Sequence, residues 1–253
     1  MLRRARLLIA YDGSDFHGFA PSEGVRTVMG VLSDAIARIA RHPAQLTGAG
    51  RTDAGVHAWG QVVSGDLPAE TDLADLARRV SSMCGPELVV REAQWVADDF
   101  DARFSALWRH YRYTIVNTPH PNPLLAATAW HVPHPLERAL MQLGCDPLIG
   151  EHDFSSFCRR PKVRLGEPPT TLVRRVLLAR WSEPDEGILR FEIRANAFCH
   201  QMVRSIVGTL VEVGSGRRRA GEVRSMMLAR DRSAAGAVAP PHGLCLWEVG
   251  YPV

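Results

Sequence analysis

Apolar positions along the chain alternate between a two-residue rhythm and a three-to-four-residue rhythm, the marks of strands and of helices lying against a core. A strand is expected over residues 3–11, followed by the turn-forming Asp12-Gly13-Ser14. Over residues 27–41, Val28, Val31, Leu32, Ala35, Ile36 and Ile39 fall on one helical face. A second strand runs into Gly48-Ala49-Gly50, a third leaves through Gln61-Val62-Val63, and a helix over 72–83 precedes a strand over 88–96. The second half has the same style without repeating the sequence: a strand over 111–116, a Pro-rich turn at 119–123 and a helix over 136–143. Two long strands then flank the hairpin signal Glu183-Pro184-Asp185-Glu186-Gly187. On the outgoing strand Leu189, Phe191 and Ile193 face a core, while Arg190, Glu192 and Arg194 face solvent or a polar partner. A helix over 198–213 and a closing strand over 244–249 complete the pattern, and a last strand of this kind docks into a sheet already formed. Interleaved strands and helices without a repeat or a low-complexity linker predict an α/β (α+β) layered fold.

With 253 residues, 46% of them hydrophobic, the chain can bury one large core or two smaller ones that share an interface. No run approaches the roughly 20 apolar residues of a membrane span. The first apolar stretch ends at Asp12, too early for a signal peptide, so a cytoplasmic protein is expected. Cys84, Cys145, Cys158, Cys199 and Cys245 are odd in number and never spaced Cys-x-x-Cys, which predicts reduced, mostly packing residues. Charge is uneven: residues 1–105 carry 11 Lys+Arg against 14 Asp+Glu, net −3, and 106–253 carry 19 against 13, net +6. The second half can therefore follow a polyanion. Lys162 is the single lysine among 30 basic residues, a bias that carries little functional weight.

The stretch richest in chemistry is Gly48-Ala49-Gly50-Arg51-Thr52-Asp53-Ala54-Gly55-Val56-His57. Its glycines permit turns and close approaches that side chains would block, so a large ligand could reach the carboxylate. On spacing alone it is equally a tight turn in which Arg51 and Asp53 form a solvated ion pair. No Gly-Lys-Ser/Thr follows, so it is not a Walker loop. The segment resembles the catalytic loop of the TruA family of tRNA pseudouridine synthases, whose signature is Gly-Arg-Thr-Asp-Ala-Gly-Val-His. The resemblance extends through Tyr11-Asp12-Gly13, Ala102-Arg103-Phe104-Ser105-Ala106, Arg109-His110-Tyr111-Arg112-Tyr113, Gly150-Glu151-His152-Asp153-Phe154, Asn196-Ala197-Phe198-Cys199-His200-Gln201-Met202-Val203-Arg204 and Gly243-Leu244, in the family's order.

The resemblance implies two lobes, each an antiparallel or mixed sheet backed by helices, with the active-site cleft between them. The lobe of 1–105 would carry the Asp53 loop, and that of 106–253 would carry Tyr111, Arg204 and a basic RNA-facing surface. It implies isomerisation of uridine to pseudouridine at positions thirty-eight to forty of the tRNA anticodon stem-loop, by a homodimer, with tRNA rather than DNA or membrane as partner. Moving one base within one nucleotide needs no redox partner, phosphate donor or metal, so no cofactor is expected and a carboxylate suffices. Asp53 takes that role. Arg51, two residues away on an extended backbone, would hold the carboxylate ionised or fill the space left by the flipped base. Tyr111 would stack on the extruded uracil, Arg204 would pair with Asp53, and Leu244 would floor the pocket. His57, Arg159 and Arg160 are further substrate-binding candidates, and the pairs Arg174-Arg175 and the triplet Arg217-Arg218-Arg219 are either solvated surface or phosphate contacts. Without the resemblance, Tyr111 and Leu244 read as core residues and Arg204 as a surface residue.

Other readings remain open on the residues. His57, His152, His200 and Cys199 suggest metal ligands, yet nothing groups four of them at the short paired spacings of a structural zinc site. Thr52-Asp53-Ala54-Gly55 loosely matches an aspartic hydrolase motif, but only Asp12-Gly13 offers a second carboxylate. A non-catalytic RNA-binding protein on the same fold is the third alternative. One region departs from the family pattern: Gly18-Phe19-Ala20 and Thr27-Val28-Met29 stand where the family has Gly-Trp-Gln and Thr-Val-Gln. These apolar replacements either repack a core or alter the range of accepted uridines.

Overall fold

The computed structural model describes residues 1–160 and 171–252; Lys162 lies outside them. In chain order the elements are β1 (Leu2–Tyr11), α1 (Val28–Ala40), β2 (Leu46–Gly48), β3 (His57–Pro68), α2 (Leu73–Cys84), β4 (Leu88–Trp95), β5 (Trp108–Val116), β6 (Trp130–His131), α3 (Arg138–Leu143), β7 (Gly150–Asp153), β8 (Val173–Asp185), β9 (Ile188–Ala195), α4 (Met202–Gly214), α5 (Glu222–Ala229) and β10 (Leu244–Gly250). The class is mixed α/β, as the pattern predicts. Two compact units divide the chain, Met1–Arg109 with Cys245–Val253, and His110–Leu244. The observed joint thus falls after Arg109 rather than after residue 105, and the last residues rejoin the first unit. They do so because β10 lies parallel to β3, Cys245 beside His57 and Leu246 beside Ala58, where its backbone groups find partners.

In the first unit the strands lie in the order β4-β1-β3-β10, with β2 also paired to β3. β1 and β3 are antiparallel, Leu7 opposite Val63 and Leu8 opposite Val62. Ala5, Leu7, Ile9 and Tyr11 of β1 are buried, the period-two face that the sequence predicts. Helix α1 starts where Thr27 accepts a hydrogen bond from the Gly30 N–H at 3.2 Å and stops at Arg41, whose φ of 51° is left-handed. Asp72 caps α2 by accepting from the Ala74 and Asp75 amides at 2.9 and 3.1 Å. The two helices pack together, and α2 lies on β4.

In the second unit β5, β9, β8 and β7 are neighbours in that order, with β6 beside β5. The hairpin of β8 and β9 sets Trp181 opposite Phe191 and Ala179 opposite Ile193. Leu189, Phe191 and Ile193 are buried as expected. Glu192, on the other face, is buried too, because Arg112 and Arg180 donate to it at 2.9 and 2.8 Å. Helix α4 begins at Met202, four residues later than the periodicity suggests, since Gln201 adopts a left-handed φ of 64°. The displaced residues serve other contacts. Cys199 is joined to Cys158 as a disulfide, which corrects the expectation of a wholly reduced set. Folding brings their α-carbons to 5.8 Å, within the span a disulfide bridges, and sequence spacing is silent about that proximity. Cys84, Cys145 and Cys245 remain thiols, and burial pushes the pKa of Cys145 up to about 12. Among the described residues no helix is long and apolar enough to cross a membrane.

Candidate active site

The loop carrying Asp53 leaves β2 pinned against β3: the Ala49 N–H donates to the Val62 carbonyl at 2.8 Å, and Gln61 Nε2 donates to the Gly50 carbonyl at 2.7 Å. Burial then alternates, with Arg51 exposed, Thr52 buried and Asp53 half-buried. The Thr52 hydroxyl lies 2.8 Å from that of Tyr11, and the Thr52 carbonyl accepts from the Phe19 N–H at 3.1 Å. Thr52 is thus clamped inward between exposed Arg51 and half-buried Asp53. Burial pushes the pKa of Tyr11 well above its usual value, so the clamp is a neutral phenol. The Val56 N–H donates to the Asp53 carbonyl at 3.2 Å across Gly55, whose φ of 75° suits a residue without a side chain.

Beneath the loop, the Asp12-Gly13-Ser14 turn is built tightly. Asp12 accepts from the Ser14 N–H and hydroxyl at 2.9 and 2.6 Å. Partial burial raises the Asp12 pKa, but these bonds and the neighbouring His57 more than offset it and hold the carboxyl below its ordinary range. His57 is 7% exposed, and its Nδ1 lies 3.1 Å from both Asp12 Oδ1 and the Gly13 nitrogen. Its ring is therefore placed to brace the turn. Phe19 and Met29 are buried behind Gly48, where an added Cβ would stand 2.3 Å from the Phe19 ring and 3.5 Å from Met29 Cε. Phe19 also stacks on Tyr11, with ring centroids 6.3 Å apart. The departures from the family pattern are thus packing residues under the loop, while Ala20 is half-buried.

Arg109 is the residue that sequence reasoning passed over. It is 8% exposed, and its Nη2 donates to the carbonyls of Ala49 and Arg103 at 2.8 and 2.6 Å, while Nε reaches Ala49 at 3.1 Å and Nη1 reaches Ala106 at 3.2 Å. One guanidinium thus ties the start of the Asp53 loop to the turn before β5. Its place in the quoted Arg109-His110-Tyr111 block was the available signal, without any indication of the partners.

In the second unit, Tyr111 is 7% exposed and meets Phe198 edge-on with centroids 5.0 Å apart. Phe198, Cys199 and His200 form a short strap: the first contacts Tyr111, the second is bonded to Cys158, and the carbonyl of the third accepts from the Arg159 N–H at 3.0 Å. The side chains of Arg159 and Arg160 are exposed, and Arg160 lies near the charges of Asp153 and Asp231. Arg204, in the first turn of α4, donates from Nε to the Ala239 carbonyl at 2.7 Å, and the Ala239 N–H returns to the Arg204 carbonyl at 3.1 Å. Leu244 is buried at the start of β10. Arg218 is paired with Glu212, and Arg174 donates to the Thr171 and Val173 carbonyls. Among the described residues no three His, Cys, Asp or Glu side chains are grouped to hold a metal ion; the His152 ring instead lies 2.8 Å from the Ile149 carbonyl.

A sequence model of the family described as tRNA pseudouridine synthase matches residues 7–105 and 145–252. The class is therefore that of the pseudouridine synthases. A tRNA pseudouridine synthase A of Leifsonia xyli subsp. xyli is 43% identical, with 99% of this chain and 92% of the relative covered. That of Frankia casuarinae is 43% identical over 99% and 90%, and that of Exiguobacterium sibiricum 36% over 99% and 98%. The chain belongs to the TruA family of tRNA pseudouridine synthases. A chain of a solved archaeal box H/ACA sRNP Nop10-Cbf5 complex matches 82% of this chain and 44% of its own length at 14% identity, with a TM-score of 0.34, too slight a likeness to carry an argument.

Proposed function

We propose that this chain converts uridine to pseudouridine at positions thirty-eight to forty of the tRNA anticodon stem-loop, with Asp53 as the catalytic carboxylate. Membership of the family makes it an isomerase that forms pseudouridine in tRNA. The reaction breaks the bond from N1 of uracil to the ribose and joins C5 to the same carbon. C5 loses a proton and N1 gains one, so no electrons are exchanged and a positioned acid–base or nucleophilic carboxylate is enough. The observation that supports the assignment to Asp53 is its half-buried place beside exposed Arg51 on a loop that the Thr52–Tyr11 contact and the Val56–Asp53 and Phe19–Thr52 backbone bonds hold in position. Arg51 supplies positive charge beside the developing anion.

From the resemblance, Tyr111 receives the extruded uracil, Arg204 partners the carboxylate, and Leu244 gives an apolar contact. Arg159 and Arg160 meet RNA phosphates, and His57 acts through the Asp12 turn that it braces. A homodimer in the cytoplasm, without cofactor or metal, belongs to the same reading. The buried positions of Phe19 and Met29 support the usual range of uridines, since neither presents a face to a substrate. Incubation with tRNA carrying C5-tritiated uridine should release tritium, and mapping of the product should place pseudouridine at the three positions. An absence of release would remove the enzymatic reading and leave an RNA-binding protein; modification elsewhere would establish an altered range.

A further inference from the structure

Phe104 is the most exposed aromatic side chain among the described residues, 78% accessible, yet it sits on one of the most firmly built turns. Asp101 Oδ1 accepts from the Arg103 and Phe104 amides at 2.7 and 2.8 Å, the Ser105 N–H donates to the Asp101 carbonyl at 2.9 Å, and Ser105 Oγ accepts from the Asp101 N–H at 3.0 Å. The Ala102 amide donates to Ser64 Oγ at 2.9 Å, and the Tyr251 hydroxyl to the Ala102 carbonyl at 2.7 Å. Buried Arg109 holds the carbonyls of Arg103 and Ala106. A ring kept in water forgoes the stabilisation that burial brings. Here the surrounding bonds hold it there, with the Arg103 guanidinium 5.2 Å from its centroid.

We propose that Arg103 and Phe104 form a second RNA contact, Phe104 offering its face to a base near the target uridine and Arg103 meeting the adjacent phosphate. An exposed ring beside a guanidinium suits a strand that alternates π-faces with negative charge. Arg109 sets the spacing, because its Nη2 holds the carbonyls of Ala49 and Arg103 at once. Asp53 is four positions beyond Ala49, so the Phe104 ring lies at most about 30 Å from the carboxylate, on the order of nine nucleotides at ~3.4 Å each. The element thus reads RNA beside the target.

This inference rests on the proposed function, and the test separates the two. Phe104→Ala, Phe104→Leu and Phe104→Trp are compared with the parent for tRNA affinity by filter binding, for kcat and KM by tritium release, for melting temperature and for sedimentation. Loss of a stacked base should weaken tRNA binding and raise KM about tenfold or more in the Ala and Leu variants, with kcat and melting temperature retained and Trp restoring affinity. An Ala variant that binds tRNA like the parent, or a Leu variant as good as Trp, overturns the inference, as does a change in sedimentation that marks the ring as a protein contact. If the parent releases no tritium but Phe104→Ala still loses affinity, the enzymatic reading falls and the RNA contact stands.

Discussion

Replacing Gly13 by alanine should disable the Asp53 loop from beneath. A Cβ at Gly13 would stand 2.1 Å from the Val56 carbonyl oxygen and 2.5 Å from its carbon. Ordinary contact begins near 3.4 Å, so either the turn or the loop must retreat by about 1.3 Å. A Cβ has no torsion by which to swing aside, and both partners are backbone. The turn is held by the Asp12 N–H on the Glu87 carbonyl at 2.9 Å and the Gly13 N–H on His57 Nδ1 at 3.1 Å. On the loop, the Val56 N–H is bonded to the Asp53 carbonyl, so a retreating Val56 carries Asp53 with it. Overpacking of this kind costs ~1–3 kcal/mol in stability. A catalytic group misplaced by ~1 Å costs on the order of 100-fold in rate. Tritium release should therefore show kcat lowered about 100-fold and urea denaturation a loss of ~1–3 kcal/mol, while tRNA affinity stays within about tenfold because binding is spread over many phosphate contacts. A kcat within about threefold of the parent would refute the argument that Gly13 sets the height of the loop.

Asp53→Asn should abolish turnover and leave tRNA affinity within about tenfold; multiple turnover in the tritium assay would remove Asp53 from the chemistry. Arg109→Lys cannot span the carbonyls of Ala49, Arg103 and Ala106 as a fork, and each buried carbonyl left unpaired costs ~1–3 kcal/mol, so the urea midpoint should fall accordingly; an unchanged midpoint contradicts the anchoring role. Burial raises the Glu192 pKa, but Arg180 and Arg112 more than offset that and hold the carboxyl below its ordinary range. Its contribution to stability is complete above the usual glutamate value of about 4.3 and is lost as pH falls through the lower folded value. Glu192→Gln should therefore flatten the decline in stability below about pH 4.3, and parallel acid limbs for the two proteins would count against the ion pairs. Activity should survive EDTA on tRNA that stays folded; a loss restored by zinc would revive a metal site.

Much was legible in the sequence because it is written in local periodicity. The two-residue rhythm of β1 and β9 and the helical stripe of α1 are each set by a few neighbouring residues. The Gly48–His57 segment announced a turn with Arg and Asp two apart, and its resemblance to a family loop is what proposes Asp53 as the carboxylate. Tertiary structure decided what periodicity cannot encode. Helix α4 starts late because Phe198 and Cys199 are held by Tyr111 and Cys158, partners 87 and 41 residues away in the chain. Glu192 is buried on a face that alternation leaves to solvent or a polar partner, and the partners are two arginines from neighbouring strands that close over it. Thr52 is buried within the Asp53 loop because Tyr11, at the end of another strand, takes hold of its hydroxyl. The same reason underlies all three: periodicity records which side of an element is apolar, whereas a polar group's burial and aim depend on which distant group satisfies its hydrogen bonds, and only the folded chain brings those groups together.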